Sequence, residues 1–157
     1  NILHFDAHAD LRDDYLGVKL SHACVLRRCW ELTGDGKIFQ FGIRSGDREE
    51  FRWGKDHVTT HKFDLVGLEE TLERLGDTPL YFTLDLDVLD PSVFPGTGTP
   101  EPGGISFDEL RKAVTLVCGK ANVIACDVNE LSPPCDQSGV STMVACKIVR
   151  EMLLALN

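Results

Sequence analysis

The chain has 157 residues, 43% hydrophobic and 26% charged, which is the balance of one globular domain with a core of its own. A formal net charge of -9 and a pI near 4.9 argue against nucleic-acid or anionic-membrane partners, which call for basic surface, and suit a small cationic ligand. No apolar run approaches the roughly 20 residues of a membrane span, and no signal-peptide pattern is read.

The elements alternate along the chain. Residues 2–5 form a short apolar strand, and residues 11–20 are polar and irregular. Ser21 is placed to cap a helix over 22–32 that Gly34 closes. Residues 37–43 read as a strand, 47–53 as a short helix stopped by Gly54, and 58–60 as another short strand. Asp64 is expected to cap a helix over 66–75, with Leu68, Leu72 and Leu75 at helical spacing and Gly76 as its stop. Residues 80–84 form an apolar strand, and 90–104 a long loop dense in Pro and Gly, of the kind that carries function. Ser106 and Glu109 have capping-box spacing for a helix to about Cys118. A strand over 122–126, a loop over 128–138 and a helix over 139–156 complete the chain. Alternating β and α with near-continuous apolar strands predicts a three-layer α/β/α fold around a parallel sheet. Ligands of such sheets bind beyond the carboxyl ends of the strands.

Acidic residues cluster at those ends. Asp6, His8 and Asp10 alternate directly after the first strand, so in extended backbone they would converge on one point. Asp85 and Asp87 end the 80–84 strand, and Asn129-Glu130 follow the 122–126 strand. Carboxylates gathered on one rim resist ionisation unless a cation lies between them. One imidazole among several carboxylates suits a hard or borderline ion such as Mn²⁺. Two ions sharing carboxylates would ready a water for attack at neutral pH. Blander readings stand beside this one: Asp-x-Asp after a strand is often a loop cap, and His22 and Glu130 read alone as ordinary surface residues. His4 continues the alternating series but lies within the strand, and is expected to be a core histidine or a support for a ligand rather than a ligand itself. His57 and His61 are expected on the surface. An EF-hand is excluded, because Leu11 and Gly17 stand where its Gly and bidentate Glu belong. None of the six cysteines forms a CxxC. They read as small buried hydrophobes of a reducing, cytoplasmic protein, with Cys135 in its polar loop as the exception.

Three ordered motifs resemble the ureohydrolases, the arginase/agmatinase family. The first is Asp6-Ala-His8-Ala-Asp10 followed by Ser21-His22. The second is Asp85-Leu-Asp87-Val-Leu-Asp90-Pro91 with the Pro95–Gly104 loop, and the third is Asp127-Val-Asn-Glu130-Leu-Ser-Pro133. The Gly-Thr-Pro-Glu-Pro-Gly-Gly wording and the Asp-Leu-Arg after the first motif are closer to the agmatinase branch. The resemblance implies an arginase-like fold and a pair of Mn²⁺ ions. Asp6 and Asp85 would bridge them, Asp10 would bind the first, and His8 and Asp87 the second. His22 would pass a proton to the leaving amine, and Glu130 would pair with the substrate guanidinium. It also implies cleavage of agmatine to putrescine and urea, and a homo-oligomer.

The chain departs from the family pattern in places. It lacks a Gly-Gly-Asp-His motif whose histidine would complete the first ion's shell, and it lacks an initiator Met. We therefore expect residues 1–157 to be a single partial domain without its N-terminal strands, weak in activity by itself. Cys24 and Cys135 replace the residues expected at their positions, and Cys135, in the Glu130 loop, would alter the substrate pocket. The rival functions are another guanidino or amidino hydrolase (guanidinobutyrase-like or formiminoglutamase-like), a catalytically silent metal-binding fragment, and a metal-dependent phosphohydrolase. The last is disfavoured by the lack of a P-loop or basic phosphate clamp.

Overall fold

The computed structural model describes residues 1–156. Five strands form one parallel sheet: β1 (Ile2–Phe5), β2 (Ile38–Ile43), β3 (Thr59–Lys62), β4 (Leu80–Asp85) and β5 (Val123–Asn129), in the order β3-β2-β1-β4-β5. Five helices connect and cover them: α1 (Val25–Thr33), α2 (Arg48–His57), α3 (Leu68–Leu75), α4 (Phe107–Lys120) and α5 (Val140–Ala155). From β1 the chain winds outward to β2 and β3, then returns to the other side of β1 for β4 and β5. The winding reverses between β1 and β4, and at such a switch point the two strand tips splay apart and open a crevice.

Both faces of the central strands β1 and β2 are covered, as their apolar sequences require, whereas residues 124–126 of the edge strand β5 are exposed. Leu3, Phe5, Phe41, Phe82 and Leu84 pack with Leu72 of α3, Leu110 and Val114 of α4 and Ile148 of α5. Phe5 lies edge-on to Phe41 and Phe82, with ring centroids 5.9 and 5.1 Å away. The opposite face is smaller: Ile2, Ile38 and Ile43 pack with Leu26 of α1 and with Phe51 and Trp53 of α2. Burying one large apolar side chain contributes about 1.5–3 kcal/mol, so the first face dominates the stability.

Several boundaries differ from expectation. The helix expected to stop at Gly54 runs on to His57, because Gly54 is buried against Leu11 and its carbonyl accepts from Val58 N at 2.9 Å. The 22–32 helix is a 3-10 turn, His22–Cys24, running into α1. Asp64 turns the chain by accepting from Val66 N at 3.1 Å, and the helix begins only at Leu68, after Gly67 in a left-handed conformation. The last strand reaches Asn129, three residues beyond the expected end, because its pairing with β4 persists to Asp85. The capping box of α4 forms as predicted.

One side-chain expectation is corrected and a second is refined. Only Cys24 and Cys118 are buried, whereas Cys126, Cys135 and Cys146 are exposed, the first on the edge strand β5. His57 and His61 are packing residues. His57 stacks on Trp53 at 4.2 Å and meets Asp35 at 2.6 Å, while His61 stacks on Phe41 at 4.3 Å. Among the described residues no helix is long and apolar enough to cross a membrane.

Candidate metal centre

The tips of β1 and β4 flank the switch point, and a cavity of about 640 Å³ opens over them. Asp6, His8, Asp10, His22, Asp85, Asp87 and Glu130 all line it. The expected single point of convergence for Asp6, His8 and Asp10 is not found. Regular pairing ends at Phe5, and Asp10 adopts a left-handed backbone (φ 55°), outside the extended alternation. Two separate groups result, each with ligand atoms within 4.8 Å of one another: His4, Asp6 and Asp10, and Asp6, His8 and Asp87. Asp6 belongs to both. Asp85 is in neither, but its carboxylate accepts from Asp87 N at 3.0 Å.

Neighbouring backbone and side chains fix each group. Asp6 accepts from His8 N at 2.6 Å, and Asp87 accepts from Ala7 N at 3.1 Å, which joins the two strand tips directly. The left-handed conformation at Asp10 is held from two directions. Gln40 Nε2 donates to Ala9 O at 2.7 Å, and Leu11 N donates to Glu50 at 2.9 Å. A non-glycine residue in that region costs about 1–3 kcal/mol and persists only where the surroundings over-determine it. Glu130, just past β5, is also left-handed (φ 63°), and its side chain stands at the exposed mouth beside Gly98. His22 is exposed on the other wall, edge-on to Tyr15 at 5.6 Å.

The electrostatics show what this arrangement lacks. Burial pushes Asp10 up to about 7, reinforced by the charge of Asp6. Burial pushes Asp85 up to about 10, with Asp6 and Asp87 adding repulsion, and raises Asp87 as well. His8, held by Asp6 and Asp87, rises to about 11. Burial alone would also raise Asp6, but the adjacent His4 outweighs it and holds this carboxyl below its usual range. By themselves these carboxylates cannot all stay charged, so the rim requires added positive charge. Asp87 Oδ2 makes the same point through geometry. It is buried, and its one polar neighbour is the ion-paired His8 Nδ1 at 3.0 Å, with no regular hydrogen bond formed. Carboxylate oxygens with imidazole and no thiolate form a donor set for a hard or borderline divalent ion, and the orphaned oxygen is where a ligand bond would be made.

Four supporting residues were missed in the sequence. Arg44 follows β2 and donates to five carbonyls: Asp87 O (2.7 Å), Glu101 O (2.7 and 3.1 Å), Gly42 O (3.2 Å), Val88 O (3.2 Å) and Leu89 O (3.3 Å). Glu101, in the long loop, accepts from Ser45 Oγ at 2.9 Å and stands 4.0 Å from His8 Nε2. Glu50 is buried beneath Leu11, and Gln40 lies within β2. A charged or amide side chain inside or just past a fully apolar strand was the available signal for Gln40 and Arg44. Cys135 is exposed beside Ser132, 3.4 Å away, and does not line the cavity.

The family model described as "Arginase family" matches residues 1–155. The chain belongs to the arginase family. It is 46% identical to the agmatinase of Bacillus subtilis and 44% identical to that of Bacillus cereus, in each case over 98% of this chain and 54% of the relative. The crystal structure of a candidate agmatinase from Clostridium difficile superposes with a TM-score of 0.95 at 47% identity, covering 99% of this chain and 57% of that one. The arginase-like α/β fold expected from the motifs is thereby established, and the chain spans about half the length of the curated relatives it matches.

Proposed function

We propose that the full-length protein carrying this arginase-family segment is a ureohydrolase of agmatinase type, cleaving the guanidinium group of agmatine to urea and putrescine. One observation carries the reading: Asp6 stands between Asp10 on one side and His8 with Asp87 on the other, at the floor of the cavity whose walls present Glu130 and His22. A carboxylate shared in this way suits two divalent ions side by side, and we assign them as Mn²⁺. Asp6 and Asp85 would serve both ions, Asp10 would bind one, and His8 with Asp87 the other. The ions supply Lewis acidity and a water of lowered pKa.

The protein's own groups do the rest. Glu130 accepts the planar N–H fork of the guanidinium and sets its carbon over the floor. Water adds to that carbon, the C–N bond to the substrate tail breaks, and His22 delivers a proton to the departing amine nitrogen. The acidic rim favours a cationic substrate and disfavours an anionic one. A homo-oligomer and a cytoplasmic location fit the kinship with agmatinases, and residues 1–157 are read as part of a single domain.

The test is urea release by the full-length protein supplied with Mn²⁺, with agmatine, arginine and 4-guanidinobutyrate in parallel. Agmatine is expected to be turned over fastest. Preference for 4-guanidinobutyrate would reassign the substrate tail, and no urea from any of the three would overturn the reading.

A further inference from the structure

His4 and Gln40 are buried polar side chains on the strands beneath the site, and the chemistry above does not use them. Gln40 lies beside His4 across the β1–β2 ladder. Its amide orientation is fixed by Ala9 O, a pure acceptor that takes its N–H at 2.7 Å, which leaves its oxygen to accept from Thr60 Oγ1 at 3.1 Å. That same nitrogen faces His4 Nδ1 at 3.1 Å. An NH₂ group there can only donate, so in the neutral ring Nδ1 accepts and the proton resides on Nε2. Nε2 lies 2.8 Å from Asp6 Oδ2, the carboxylate common to both ligand groups.

The geometry points to a buried relay, Thr60–Gln40–His4, that positions Asp6. The relay sets the tautomer of His4, and His4 Nε2–H fixes the rotation of the Asp6 carboxylate. This rests on the metal-dependent reading above. It makes His4 a positioning residue rather than a ligand, although its ring lies close enough to the two acids to be mistaken for one. Outer hydrogen bonds to metal ligands are typically worth about 10–100-fold in metal affinity. Because Asp6 is shared, both ions should feel the loss.

Two substitutions separate positioning from packing. His4→Phe keeps a buried ring and removes the donor, whereas His4→Gln places an amide nitrogen near the original Nε2. If His4 only fills space, Phe is the better replacement; if it positions Asp6, Gln is. Mn²⁺ binding to the full-length protein is measured by calorimetry for the wild type, both variants and Gln40→Leu, with metal-free melting temperatures recorded alongside. We expect H4F to weaken both ions about 10–100-fold. H4Q should recover most of that loss, and Q40L should fall between H4F and the wild type. Equal affinities for H4F and H4Q, tighter binding by H4F, or weakening of one ion alone would overturn the relay. A wild type that binds no divalent ion would overturn the metal reading and the relay with it. Two ions bound without change in any variant would overturn the relay only.

Discussion

The Arg44 clamp makes a strong demand on stability. Its guanidinium joins three segments that are remote in sequence: the end of β2, the turn that carries Asp87, and the long loop at Glu101. Arg44→Met keeps most of the aliphatic stem and deletes every donor. The two shortest bonds, 2.7 Å each to Asp87 O and Glu101 O, set the scale. Hydrogen bonds from a charged donor contribute about 1.5–3 kcal/mol each, so losing two costs about 3–6 kcal/mol, and water reaching this half-buried site moves the figure toward the lower end. For a protein of about twice this length, about 3 kcal/mol corresponds to roughly 4–6 °C in Tm. Thermal unfolding of the full-length protein followed by circular dichroism reads it directly. Arg44→Lys should recover less than half, because one ammonium cannot serve carbonyls spread around a planar fork. Binding of Mn²⁺ should weaken in parallel, since the turn that holds Asp87 loses its anchor. An R44M protein that melts within about 1 °C of the wild type would refute the reasoning.

Glu50→Gln should destabilise the protein by about 1–2 kcal/mol, through the loss of a buried charged acceptor serving Leu11 N, Asp47 N and Arg12 Nε; urea denaturation measures this, and an unchanged midpoint would count against it. The metal-free protein should lose stability as pH rises. Asp10 near 7 and Asp85 near 10 both lie above the unfolded carboxyl value of about 4, so the folded state holds protons that the unfolded state has released. His8 acts in the same direction above its unfolded value of about 6.5: its folded value is about 11, and its contribution fades as pH climbs through that. With chelator present, Tm should therefore fall from pH 5 to pH 8. With Mn²⁺ the trend should reverse, because ligands must shed protons to bind. Parallel slopes in the two titrations would contradict this.

The architecture was legible because apolar strands such as Leu80–Asp85 and punctuating residues such as Ser106, Gly34 and Gly76 announce themselves locally. The ligating candidates were legible because their spacing is short and their chemistry concentrated. Their three-dimensional grouping was not. Strand alternation placed Asp6, His8 and Asp10 on one point, but the left-handed turn at Asp10 is imposed by Glu50 and Gln40, 40 and 30 residues downstream, and no local pattern encodes that. Arg44 escaped for the same reason, since its partners are carbonyl groups and leave no trace in the side-chain sequence. The stacking of the half-exposed histidines at 57 and 61 was not legible, because it depends on which strands and helices become neighbours.

Asp10 faces two ways. While its carboxylate looks into the cavity, its carbonyl oxygen receives Leu26 N and Arg27 N at 3.1 and 3.3 Å, seating the first turn of α1, which has no side-chain cap of its own. His22 stands in the short turn that leads into that helix. One residue thus sets the level of both the floor and one wall, so a shift of the floor at this corner is carried mechanically to the imidazole above it.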